Sequence, residues 1–250
     1  MIAIDLSGKT AVVTGGGQGL GASTATMLAA AGANVVINCF ADAEGVNRER
    51  AEQTAGRIGD RAVVIEADVR NIAQVEAMIQ EAIRHFGRLD ILVNNAGIVR
   101  DRTLKKLSPE DWQAVIDTNL TGVYNVSKAA MENLSDGGRI INLASISAVV
   151  GFFGQSNYAA AKSGVMGLTK VLSRELAKRR ITVNAVAPGV VLTEMGETIP
   201  EQTRAEMLKS IPLGRCGEPE EIAGVILFLC SELASYVTGQ VIHVNGGWWG

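Results

Sequence analysis

TGGGQGLG, residues 14–21, decides how the chain reads. It follows the apolar run TAVVT at 10–14 and opens a helical pattern at about 19–31. Gly15, Gly19 and Gly21 carry a G-x-x-x-G-x-G spacing. Glycine permits a tight turn and lets a pyrophosphate approach backbone N–H groups at a helix N-terminus. A tight βα turn without ligand is the other reading of the same glycines. The strand before and the helix after favour the nucleotide.

Working outward, β-branched runs alternate with longer helical patterns. The runs at 10–14, 34–39, 62–67, 90–95, 139–145, 181–187 and 240–244 read as strands. Their continuous apolar character suits parallel strands covered on both faces. Helical patterns fill about 42–57, 71–86, 108–133, 156–179 and 218–232, and Ser108 with Pro109 marks an N-cap and first helical position. Repeated βα alternation predicts one α/β domain over 1–250, Rossmann-like and doubly wound, its seven-stranded sheet mostly or fully parallel and helices on both faces. The irregular stretch 188–217 interrupts that pattern, and about 190–213 is expected as a substrate lid.

Composition narrows the function. The chain has 250 residues, 47% apolar and 20% charged, with a net charge of -3. No basic surplus invites nucleic acid or an anionic membrane. No apolar run reaches membrane-spanning length, and MIAIDLSGKT lacks the pattern of a signal peptide. Cys39, Cys216 and Cys230 are odd in number and widely spaced, which predicts reduced thiols in a cytoplasmic protein. Two separated histidines, His85 and His243, predict no metal site.

Cofactor choice should be read at the end of the second strand. An acid there would hold the 2′-hydroxyl of NAD, but the sequence places Asn38, Cys39 and Phe40. A 2′-phosphate would meet no repulsion, and Asn38 with Gln18 would offer polar contacts without full charge. NADP(H) is the expectation; Cys39 as an ordinary strand residue is equally open. Asp68-Val69 either puts a carboxylate near an adenine amino group or caps the next helix. NNAG, 94–97, lets a cofactor lie against a strand end, or is a turn with asparagines bonded to backbone.

Tyr158 and Lys162 in NYAAAK, four apart, share one helix face, with alanines clearing the approach. A free tyrosine has a pKa of about 10. A nearby ammonium is expected to favour the phenolate and lower it. A surface tyrosine packed on a lysine stem is the alternative. Asn119 interrupts an amphipathic helix pattern, where asparagine competes for backbone bonds.

Together, TGGGQGLG, NNAG, Asn119 in DTNLTG, Ser145 in NLAS, Tyr158 and Lys162 in YAAAK, and VNAVAPG at 183–189 resemble the short-chain dehydrogenase/reductase family over nearly the whole chain. GQSNYAAAKSGVMGLTK and ITVNAVAPG look closest to its bacterial 3-oxoacyl-[acyl-carrier-protein] reductase and acetoacetyl-CoA reductase branch. The resemblance implies that Ser145 and Tyr158 bond the substrate carbonyl and that Lys162 also holds the nicotinamide ribose. Asn119 would mark a kink that holds a water linking Lys162 to solvent. The cofactor would lie along Gly15, Gln18, Gly19, Leu20 and Gly21, then Asn38, Asp68 and Val69, then Asn95, Ala96 and Gly97. Pro188, Gly189, Val191 and Thr193 would cover the nicotinamide. Met195, Ile199 and Met207 suggest an apolar lid cavity, or packing within the lid or against a neighbour.

The leading expectation is reduction of a ketone, preferably a 3-oxoacyl thioester, by NADPH, with Tyr158 as proton donor. The alternatives are an NAD-linked dehydrogenase of a small secondary alcohol or sugar, and a cofactor sensor without turnover. The resemblance also implies a homotetramer. One interface would use 108–133 and 156–179; the other would use the last helix and strand with Trp248 and Trp249. An acidic acyl carrier protein would find Arg174, Lys178, Arg179 and Arg180 but also Glu132 and Asp136, so only weak preference for it is expected.

Overall fold

The computed structural model describes residues 3–193 and 201–249. Seven strands form one sheet: β1 (Thr10–Val13), β2 (Asn34–Cys39), β3 (Ala62–Glu66), β4 (Leu89–Asn94), β5 (Leu134–Leu143), β6 (Thr182–Pro188) and β7 (Val241–Val244). Every pair is parallel, in the order β3-β2-β1-β4-β5-β6-β7. The order reverses between β1 and β4, which opens a crevice at their carboxyl ends, where doubly wound folds bind nucleotides.

Alternate strand residues point to opposite faces. Ala11, Val13, Val35, Ile37, Ile91 and Val93 join one core. It is covered by α1 (Gly19–Ala30), α2 (Val46–Ile58) and a helix near the C-terminus, Pro219–Cys230. Val12, Val36, Leu92, Ile140 and Val183 join the other core, under α3 (Ile72–Phe86) and further helices.

The expected helix at 108–133 is broken. Ser108 caps α4 (Pro109–Ile116), its hydroxyl accepting from the Asp111 N–H at 3.1 Å. A π-turn, Asp117–Thr121, follows, and then α5 (Gly122–Met131). Asn119 sits in the middle of that turn, where the kink was expected. The short helix α6 (Ser147–Val150) has no counterpart in the sequence reading. The long helix α7 (Ser156–Glu175) ends in a short 3-10 turn. In the stretch expected as a lid, α8 (Glu201–Lys209) carries the half-buried Met207; Met195 and Ile199 lie outside the described residues. Pro219–Cys230 is α9.

All three cysteines are free and buried. Cys39 joins the first core, which makes it an ordinary strand residue. Among the described residues no helix is long and apolar enough to cross a membrane.

Candidate active site

The glycine-rich loop is shaped by contacts that only glycine allows. Gly15 has φ of 62°. A Cβ on Gly21 would stand 2.2 Å from the Gly15 carbonyl oxygen, and one on Gly17 would stand 2.9 Å from the Ala51 nitrogen on α2. Gln18 is the N-cap of α1, and no side chain caps the helix. Among the described residues no side chain caps the first-turn N–H groups of Gly19, Leu20 and Gly21, and the first turn holds no acid. That arrangement fits the pyrophosphate of a dinucleotide.

The end of β4 holds this loop. Asn95 Nδ2 donates to the carbonyls of Thr14 at 2.9 Å and Gly15 at 3.0 Å. The N–H groups of Asn95 and Ala96 both donate to Thr14 Oγ1 at 3.0 Å. Val69 and Ala96 line one crevice with Thr14 and Gly122.

At the adenosine end, the Asn38 expectation needs correction and one of the two readings of Asp68 falls away. Asn38 does not offer its amide to a phosphate. It is 1% exposed, and Nδ2 donates to the carbonyls of Ile65 at 3.2 Å and Ala67 at 3.0 Å, while Oδ1 accepts from the Gly15 N–H at 3.4 Å. The side chain braces β2 against β3 and the loop. Asp68 does not cap α3; Asn71 does, accepting from Ala73 at 3.1 Å and Gln74 at 3.2 Å. Asp68 pairs with Arg70 at 2.7 Å, and that guanidinium lies 5.3 Å from the centroid of the exposed Phe40 ring.

Beyond β4, Gly97 leads to Ile98, where Asn119 closes a two-way clasp. Its Oδ1 accepts from the Ile98 N–H at 2.8 Å, and its Nδ2 donates to the Ile98 carbonyl at 2.9 Å. Past β5, Ser145 Oγ accepts from the Ser147 N–H at 3.1 Å, which leaves its own proton to donate. Ser147 Oγ donates to Gln155 at 2.8 Å, and Gln155 donates to Asp101 at 2.8 Å. Asn157 Nδ2 donates to the Arg100 carbonyl at 3.1 Å and its Oδ1 accepts from the Tyr158 N–H at 2.8 Å. The segment after β4 is thus tied to the start of α7, which carries Tyr158 and Lys162.

Lys162 is 4% exposed and donates to the Leu143 carbonyl at 2.6 Å. Its Nζ lies 5.7 Å from the Tyr158 ring centroid. Burial pushes its ammonium down to about 8. The expectation that this ammonium draws the phenol down is not met. Burial pushes Tyr158 up to about 12; its bond to Ser145 lowers it, and the Asp101 charge raises it further. The phenol is desolvated, and the ammonium sits over the ring with its proton on a carbonyl. At neutral pH Tyr158 is therefore a protonated donor, the form that reduction requires.

Pro188 and Gly189 turn over the same end of the sheet. The Pro188 carbonyl accepts from the Ile146 N–H at 2.9 Å, and the Gly189 N–H donates to the Val244 carbonyl at 2.9 Å. A Cβ on Gly189 would meet Asn245 Cα at 2.9 Å. Val191 is buried and bridges to Gly217, and Thr193 ends this described stretch. The tryptophans expected at an interface have partners in their own chain. Trp248 lies 5.1 Å from the Phe152 ring and Trp249 lies 4.5 Å from His243.

The sequence reading missed a buried amide chain beneath the site. Asn94 donates to Asn142 at 2.8 Å and to Ser127 at 3.0 Å, and Asn142 donates to Thr169 at 2.9 Å. It links β4, β5, α5 and α7. Adjacent strand asparagines were the only signal.

A dinucleotide cradle at the sheet's switch point, together with a half-buried tyrosine and a buried lysine on one helix, defines a nicotinamide-dependent oxidoreductase. A family profile described as enoyl-(acyl carrier protein) reductase matches residues 15–249. A 3-oxoacyl-[acyl-carrier-protein] reductase, FabG, of Staphylococcus aureus strain Mu50 is 46% identical over 244 residues, 96% of this chain and 97% of that protein. A 3-oxoacyl-[acyl-carrier-protein] reductase of Synechocystis is 45% identical over 245 residues, 97% of each. A short-chain dehydrogenase/reductase structure from Brucella melitensis, titled a glucose/ribitol dehydrogenase, superposes with a TM-score of 0.94 at 35% identity over 100% of both chains. The chain belongs to the short-chain dehydrogenase/reductase family.

Proposed function

We propose that the protein reduces the ketone of a 3-oxoacyl thioester to a secondary alcohol, with NADPH as the reductant. The observation that carries the reading is Tyr158 bonded to Ser145, with the Lys162 ammonium 5.7 Å from its ring centroid, in a chain that also carries a dinucleotide cradle. The relatives' printed activity supports the substrate class. When bound, the nicotinamide supplies a hydride to the carbonyl carbon. Ser145 donates a hydrogen bond to the carbonyl oxygen, and Tyr158 gives that oxygen its proton. Lys162 holds positive charge beside the phenol and bonds the cofactor's ribose. Asn119 keeps the π-turn and the segment at Ile98 in place, and a water there would return protons to Lys162.

Pro188, Gly189, Val191 and Thr193 would cover the nicotinamide side; of the lid read at about 190–213, residues 194–200 lie outside the described residues. Assembly as a homotetramer accords with the exposed Tyr124 and Val171 on α5 and α7, and with Leu233 and Tyr236 after α9. Free, buried thiols accord with a cytoplasmic setting.

The glucose/ribitol title of the Brucella structure favours a second reading, an NAD-linked sugar or alcohol dehydrogenase. Nicotinamide fluorescence with both cofactors, over thioesters and sugars, separates the two. Tyr158→Phe tests the chemistry: kcat should fall by at least about 10²-fold, the lower range for a positioned general acid, with cofactor binding kept. Near-normal turnover by the folded variant would refute the assignment.

A further inference from the structure

A 2′-phosphate needs a cation close to the glycine loop and the end of β2. Neither Gln18 nor the residues closing β2 supply one. The structure brings one from α2. Gly17 lets Ala51 pack against the loop, and Thr54 Oγ1 donates to the Gly17 carbonyl at 3.2 Å. That packing lays Arg50, one residue before Ala51, across the loop, where its Nη1 donates to Gln18 Oε1.

The neighbouring arginines are already neutralised. Arg48 pairs with Glu52 at 2.8 Å and Glu66 at 3.1 Å, and Arg70 pairs with Asp68 at 2.7 Å. Among the described residues Arg50 has no carboxylate within ion-pair distance. Asp42 feels its charge, but the Asp42 oxygens are taken by the N–H groups of Val46 at 3.1 Å and Asn47 at 2.9 Å. Arg48 also neutralises Glu66, which pairs with Cys39 across β2 and β3 and would otherwise repel a phosphate.

We propose that Arg50, held on the glycine loop by Gln18, is the cation of a 2′-phosphate site. The site takes a phosphomonoester on the adenosine ribose. A planar guanidinium with open N–H groups suits such an anion, and Gln18 orients it by its carbonyl oxygen. This inference rests on the NADP reading and assigns its selectivity to a helix that the β2 pattern does not point to.

The test is calorimetric binding of adenosine 2′,5′-bisphosphate and of 5′-AMP, at low and moderate salt. Wild type should bind the bisphosphate more tightly, by about tenfold or more, the scale of one charged hydrogen bond, and salt should shrink that margin. Arg50→Ala should lose most of the margin with 5′-AMP affinity unchanged, and Arg50→Lys should keep part of it. Lys128→Ala, which removes the same charge from α5, should keep all of it. A margin intact in Arg50→Ala overturns the site and leaves the NADP reading standing. Equal loss for both ligands also overturns it, because Arg50 would then act on the loop as a whole. No margin in wild type overturns both.

Discussion

Lys162 lies over the face of the Tyr158 ring, 5.7 Å from its centroid, with its ammonium proton on the Leu143 carbonyl. The amine is buried and its ordinary value of 10.5 falls to about 8, while the phenol rises to about 12. Both remain protonated at neutral pH, and the amine is the first to lose its proton as pH rises. Ketone reduction should therefore decline through an apparent pKa near 8, reported by kcat/KM against pH. A plateau unbroken to pH 10 would remove Lys162's charge from the mechanism.

Gly21 is where a single methyl should do most harm. Its Cβ would sit 2.2 Å from the Gly15 oxygen and 2.6 Å from Asn95 Nδ2. Both atoms belong to the clamp that shapes the loop. Gly21→Ala should cost about 1–3 kcal/mol through overpacking and weaken nucleotide binding more than it lowers the melting temperature. Nucleotide titration alongside urea unfolding measures both. Unchanged affinity would mean that the loop shifts freely, against the geometry.

Asn119→Ala would strip the side-chain partners from the Ile98 N–H and from its C=O. A fully buried group left unpaired costs about 1–3 kcal/mol; these two are part-buried, so the loss should fall at the low end. Because the segment after Ile98 leads to Asp101 and the Arg100 carbonyl, kcat should fall together with stability. Urea unfolding and steady-state kinetics on the same preparation check this. A stability loss with full kcat would reduce Asn119 to a structural residue.

Carrier preference should be weak. Arg179 donates to Asp136 at 2.9 Å and also to the Met131 and Leu134 carbonyls, so one cation of the expected patch is spent within the chain. Arg174, Lys178 and Arg180 have no ion pair among the described residues. Comparison of kcat/KM for one 3-oxoacyl chain on carrier protein and on CoA decides it. A carrier preference above about 100-fold, roughly 2.7 kcal/mol, would shift attention to the exposed Arg100, Arg102, Lys105 and Lys106 beside the site.

The layered sheet was legible because burial on both faces leaves a plain mark: Val12 and Val13 serve opposite cores, and both are apolar. Tyr158, Lys162, Ser145 and Asn119 were legible through spacing and resemblance. What one strand says about a side chain's partners was not. Asn38 looked like a ligand contact because its acceptors, Ile65 on β3 and Ala67 just past it, lie outside its own strand. Of the two readings of Asp68, the helix cap falls away because Asn71, three residues on, takes that role. The sign of the Tyr158 shift was hidden because it depends on burial, which spacing does not report. Arg50 was invisible until α2 packed against Gly17.

Asn95 and Thr14 are 81 positions apart, yet their bonds give the glycine loop its shape. During synthesis, the loop emerges long before the segment that sets it. A growing chain that ends before β4 carries every loop glycine but lacks the brace that makes the loop a nucleotide receptor. Affinity for nucleotide should thus arise only when β4 seats beside β1, a non-local step of the slow kind. Nucleotide present at that moment would favour the seated form by mass action. The cell's own dinucleotide pool would then act as a folding aid, drawing nascent chains past their slowest pairing.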